Sequence, residues 1–270
     1  MSCHAAIVFP PIDDQTSPNQ NERPKGARPD MLVLHYTGMP DGPQALARLT
    51  DPQAQPPVSS HYVVFEDGRI VRLVPDGRRA WHAGVSSWKG QTGLNDVSIG
   101  IEIVNPGHEW GYVDFPPAQI EAVINLSRAL CQRWDILPER VLAHSDVAPT
   151  RKQDPGEKFP WDQLSAAGIG LWVPPTPLLD GPSYQAGDEG EPVRALQALF
   201  RVFGYGIEIT GVMDALTVAV ITAFQRHYRP ERVDGIADRS TITTLGRLIG
   251  KLGAARQDAE AEHACDHHHG

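Results

Sequence analysis

MLVLHYTG, residues 31–38, decides how the rest of the chain is read. Its opening run is apolar without alternation, and a strand written that way is buried on both faces. Such strands sit in sheets that helices cover, so the fold class expected is α/β: a mixed central sheet flanked by helices. His35 stands at the end of this strand, and Gly38 releases the chain from it.

Working outward, HYVVFEDGRIVRLV (61–74) places two β-branched runs around Asp67-Gly68, a strong hairpin signal. SIGIEIVN (98–105) is a further strand, with Ile99, Ile101 and Ile103 on one face and Glu102 on the other. From Pro116 to Trp134 apolar residues recur at helical spacing, and the prolines suit a first turn. RVLAHS (140–145) is a short strand or its edge, and the proline-broken segment after it reads as a loop. Upstream, residues 10–30 are polar and proline-rich and read as a lead-in with little packing.

Periodicity vanishes between 172 and 193, where proline and glycine accumulate as in a linker. Beyond it VRALQALFRVFGY (193–205), DALTVAVITAFQRHY (214–228) and DRSTITTLGRLIG (238–250) predict a small three-helix domain. The expected organisation is an extended segment over 1–27, an α/β domain over 28–172, a linker over 173–187, the helical domain over 188–252 and a disordered tail over 253–270. His267, His268 and His269 in that tail are a short tract with some capacity for stray metal.

Charge excludes one class of partner. The chain carries 24 basic and 33 acidic residues, a net −9, and has no basic patch of the kind that holds a phosphate backbone. Cys3, Cys131 and Cys265 are odd in number and scattered, which argues against a disulfide framework. No run approaches the ~20 apolar residues of a membrane span. The N-terminus has no basic region before its short apolar patch, so a cytoplasmic protein is expected, with a periplasmic or outer-membrane-associated one as the alternative. A monomer is expected.

His35 and His144 end strands, and Asp154 follows after a stretch long enough to loop back. Two imidazoles and a carboxylate are a recurrent ligand set for catalytic zinc, the fourth position being left to water. Spacing alone does not single out this triple among 11 histidines. Glu102, in a strand rich in isoleucine, either faces solvent or points into a cleft as an acid or base.

LHYTG, SSHYVVFEDGRI, RRAWHAGVSSWKG, NDVSIGIEIVNPG and AHSDVAPTRKQDPGEKFPW together resemble the type 2 family of zinc-dependent N-acetylmuramoyl-L-alanine amidases, similar in fold to the peptidoglycan recognition proteins. Residues 188–250 resemble the three-helix peptidoglycan-binding domain of wall hydrolases. The resemblance implies zinc on His35, His144 and Asp154, Glu102 as the catalytic acid and base, and Lys152 as the cation at the developing oxyanion. The substrates it implies are peptidoglycan and muropeptide fragments, intact or anhydro at the muramyl end. Trp81, His82 and Trp88 are the candidates to line the groove, with packing as the other reading. A module that binds muropeptide without cutting it is the alternative function.

Overall fold

The computed structural model of the chain describes residues 6–266. Its strands are β1 (Asp13–Asp14), β2 (Gln20–Glu22), β3 (Met31–Tyr36), β4 (Tyr62–Val64), β5 (Ile70–Arg72), β6 (Arg78–Ala80), β7 (Ser87–Trp88), β8 (Gln91–Thr92), β9 (Ser98–Ile103) and β10 (Val141–Ala143). The helices are α1 (Gly42–Thr50), α2 (Gly107–Trp110), α3 (Pro117–Trp134), α4 (His144–Val147), α5 (Trp161–Ala166), α6 (Glu191–Phe203), α7 (Ala215–Tyr228) and α8 (Arg239–Asp266).

Six strands form the main sheet in the order β1-β5-β4-β9-β3-β10. Its centre, β4 to β10, is parallel, while β5 returns antiparallel to β4 through the Asp67-Gly68 turn. The sheet is therefore mixed, and helices cover it. Along β3 the two faces bury different partners. Leu32 and Leu34 join Ile99, Ile101 and Ile103 against Ile120, Val123, Leu126 and Leu130 of α3. Met31 and Val33, on the opposite face, join a core that runs through Trp88, Leu142 and Val147 to Phe200, Phe203, Phe224 and Leu245. That is why MLVL does not alternate: α3 covers one side and the C-terminal helices the other.

The C-terminal helices thus share an apolar core with the sheet. Asp214 caps α7 by accepting the Thr217 N–H at 2.8 Å, and Gly204 ends α6 with a positive φ of 148°. A side chain at Gly204 would strike the Trp88 ring, its Cβ lying 2.6 Å from Cε2. Trp88 is 1% exposed, with its ring 5.0 Å from that of Tyr205 and 5.9 Å from that of Phe203. It is therefore a packing residue between sheet and helices, which corrects its expected place in a substrate groove. Truncation Trp88→Ala should cost about 3–5 kcal/mol of stability by leaving a cavity at this junction. Equilibrium urea unfolding checks this, and a loss under 1 kcal/mol would contradict the packing role.

Three other expectations are corrected. The lead-in is packed: β1 pairs with β5, β2 pairs with β6, and Ser17 Oγ donates to Leu49 O at 2.6 Å. Arg23 donates to the carbonyls of Asp76, Asn95, Asp96 and Ser98, holding the lead-in across the sheet's edge. The proline-broken segment begins with one helical turn, α4, before it becomes a loop. The tail expected to be disordered from 253 continues α8 to Asp266, because no proline interrupts its alanine- and glutamate-rich run. His267, His268 and His269 lie outside the described residues. Among the described residues, no helix is long and apolar enough to cross a membrane.

Candidate active site

The sheet's register assembles the site. His35 of β3 and Glu102 of β9 are directly paired across parallel strands, and Ala143 of β10 pairs with Leu34, which sets His144 one step on beside His35. All three stand at the carboxyl ends of neighbouring strands, the usual location of sites in open α/β sheets. The loop after α4 closes on itself, with the Ser145 N–H donating to Asp154 O at 3.1 Å. That contact returns Asp154 to His144.

His35 Nδ1, His144 Nδ1 and Asp154 Oδ2 then form a triangle with sides of 2.9, 3.0 and 3.0 Å. All three residues are buried, and the group is of the kind that holds a metal ion. Two ligands ~2.0–2.1 Å from a tetrahedral ion sit about 3.3 Å apart, so the triangle is close to the size zinc requires.

Hydrogen bonds beneath the triangle fix which nitrogens bear lone pairs. Ser98 Oγ gives its only proton to Leu94 O at 2.6 Å, so it accepts from His82 Nε2 at 3.0 Å. His82 Nδ1 is then an acceptor for His35 Nε2–H, also at 3.0 Å, and His35 Nδ1 is left unprotonated. His144 Nε2 donates to Ala83 O at 3.2 Å, which leaves its Nδ1 free as well. Three lone-pair donors converge with no proton between the two rings, a set that fits a cation. Gly100 makes room for this relay, since a Cβ there would lie 2.5 Å from the His82 ring.

Burial, reinforced by His144, lowers His35 to about 4; burial and the Arg23 charge lower His61 to about 4. Burial also holds His82 well below the ordinary histidine range. These shifts predict acid sensitivity in the metal-free protein. Unfolded histidines take up protons near pH 6.5 whereas His35 and His61 do so only near 4, so between these limits the unfolded state binds more protons. Stability should therefore fall as pH drops through this window, by about 1.4 kcal/mol per pH unit for each histidine. Thermal melts at pH 7 and pH 5 check the sign; an unchanged or higher Tm at pH 5 would contradict it.

The triangle opens into a pocket of about 350 Å³ lined by Glu102, Lys152, Trp81 and His82 among others. Glu102 keeps some surface toward this pocket, but its Oε2 is buried with no hydrogen-bond partner. Burial, with the charge of Asp154, pushes its carboxyl well above the usual range, and Lys152 opposes that shift. A cation in the triangle would offset Asp154 and ease ionisation of Glu102.

Trp81 stays at the wall, its Nε1–H donating to Asn21 Oδ1 at 2.7 Å. His82 reaches the pocket edge but lies under His35, so its hydrogen bonds serve the triangle. Sequence reasoning missed Tyr36, His108 and Arg151, which also line the pocket. His108 joins Tyr36 Oη at 3.0 Å and Glu157 at 3.1 Å. The signal available was position: NPGHEW follows β9 directly, at the same sheet end as Glu102.

Residues 25–157 match the family model for N-acetylmuramoyl-L-alanine amidase, and residues 189–245 match a model for a peptidoglycan binding domain. The N-acetylmuramoyl-L-alanine amidase AmiD of Escherichia coli K12 is 42% identical over 237 residues, covering 83% of each chain. The chain belongs to the N-acetylmuramoyl-L-alanine amidase family. Two solved structures extend the likeness. AmiD from E. coli, in complex with anhydro-N-acetylmuramic acid-L-Ala-D-gamma-Glu-L-Lys, superposes with a TM-score of 0.71 at 39% identity, over 86% of this amidase and 93% of that chain. AmpDh3 from Pseudomonas aeruginosa, in complex with an anhydromuramic pentapeptide, gives 0.69 at 34% identity, over 85% and 94%. Both likenesses extend past the sheet into the helical region of this amidase.

Proposed function

We propose that this amidase holds zinc on His35, His144 and Asp154 and hydrolyses the amide between the lactyl group of N-acetylmuramic acid, intact or anhydro, and L-alanine of the stem peptide. The observation that carries the reading is the convergence of three lone-pair donors, 2.9–3.0 Å apart, at the floor of a pocket that Glu102 also lines. A module that only binds muropeptide has no need of three converging lone-pair donors beside a desolvated carboxyl. That the similar structures of AmiD and AmpDh3 hold anhydromuramyl peptides supports the substrate class.

The chemistry zinc supplies in such a site is a water made acidic near neutrality and a polarised carbonyl. The chain's own residues do the rest. Neutral His35 and His144 with anionic Asp154 leave such a centre net positive. The Glu102 carboxylate takes a proton from the attacking water and delivers it to the departing alanine nitrogen, a transfer suited to a desolvated carboxyl. Lys152, tethered between the two halves of the ligand loop by its N–H to Ala148 O at 3.0 Å, places its charge where the carbonyl oxygen becomes negative. Trp81 offers an aromatic face at the pocket wall to the sugar or the stem.

The test is mass spectrometry of a defined anhydromuropeptide incubated with the protein in ¹⁸O water. Release of a stem peptide with a free L-alanine amine, and label in the lactyl carboxylate, is the expected result. Cleavage at any other bond, or none, would overturn the proposal.

A further inference from the structure

We propose that the C-terminal helices form part of the metal site, because α7 and the residues after α6 grip the loop that carries His144 and Asp154. This rests on the zinc reading above and adds a second role to a region that matches a wall-binding module.

Asp146 is the point of attachment. It sits on the same turn as His144 and is 0% exposed. Its Oδ2 accepts the Ala143 N–H at 2.8 Å, fixing the peptide that leads into His144. The other two donors come from far downstream: His227 Nδ1 reaches Oδ2 at 2.7 Å, and Tyr205 Oη donates to Oδ1 at 2.7 Å. His227 is itself immobilised, stacked between Trp161 and Tyr228 with ring centroids 3.7 Å away on each side. The next residue back on α7 holds the far end of the same loop, Arg226 donating to Gln153 Oε1 at 3.0 Å beside Asp154. One end of α7 thus spans both ligand-bearing positions.

A carboxylate sealed from water needs its donors, and losing two of three leaves it underpaired where no solvent can replace them. The turn must then shift until Asp146 finds other partners. His144 moves with it. Partners that orient metal ligands are worth about 10–100-fold in metal affinity when removed. Tyr205 and His227 are accordingly positioning residues, acting on zinc through Asp146 and the backbone.

The test compares full-length variants for zinc affinity, by competition with a chromophoric chelator, and for kcat and KM. All are first checked for folding by circular dichroism. Tyr205→Phe with His227→Leu should weaken zinc binding by about tenfold or more and lower kcat with KM little changed. His227→Asn, whose side-chain N–H replaces Nδ1–H, should stay within about threefold of wild type. Leu245→Ala, a buried change in the same helical core but away from Asp146, should lower Tm and leave zinc affinity alone. Should the double variant fail to fold, Tyr205→Phe alone must still weaken zinc severalfold. Wild-type zinc affinity in the Tyr205→Phe with His227→Leu double variant, or in Tyr205→Phe where the double variant does not fold, would overturn the inference, as would equal weakening by Leu245→Ala. A wild-type protein that takes up no zinc would overturn the zinc assignment and this inference together.

Discussion

Glu102→Gln should lower kcat about 10²–10⁴-fold while the protein still binds zinc. The substitution preserves shape and strand pairing, so what it removes is the ability of the carboxyl to accept and return a proton. Residue 102 touches none of the three ligating atoms, and the His35–His82–Ser98 relay that orients the first of them is unaffected. Burial also drives the wild-type carboxyl well above the usual range, which disfavours its charge in the folded state. The neutral amide therefore should not destabilise the fold. Stopped assays on a defined muropeptide, alongside zinc content by mass spectrometry, check both halves. A variant that keeps its zinc and turns over at near the wild-type rate would remove Glu102 from the mechanism.

Asp154→Ala should have the other large effect, and a different signature. It deletes the one anionic donor and leaves two imidazole lone pairs facing each other at 2.9 Å with nothing between them. Removing a direct ligand should exceed the ~10–100-fold that outer partners contribute, so stoichiometric zinc and amidase activity should be lost together. Glu102→Gln separates binding from turnover; Asp154→Ala should not. Zinc content near one equivalent in purified Asp154→Ala would contradict the ligand assignment.

Much of this was legible in the sequence because it depends on local pattern. The unbroken apolar run of β3 announced two covered faces, and alternation in SIGIEIVN put Glu102 opposite the isoleucines, on the face where His35 also lies. The loop between His144 and Asp154 was readable from its prolines, though its first turn is helical. What escaped reading depends on contacts distant in the chain. Trp88 looks like a groove aromatic beside Trp81, and only the arrival of Phe203 and Tyr205 makes it core. Arg23 lies in a polar, proline-rich segment whose hydrogen bonds go to carbonyls of β9 and the loops before it. His82 reads as a groove or packing residue, and it does reach the pocket edge, but its partners, Ser98 and His35, come from separate strands. Pairing across a sheet converts residues with unremarkable local signals into a site, and a single strand's pattern does not carry that information.

One zinc ion on His35, His144 and Asp154 is proposed to enable the hydrolysis. The decisive measurement is a titration of zinc into metal-free protein that follows release of the stem peptide from anhydromuropeptide. Activity should rise in proportion to zinc, stop rising at one equivalent, and stay at background throughout in His144→Ala. Full turnover by the metal-free protein, or a normal titration in His144→Ala, would contradict it.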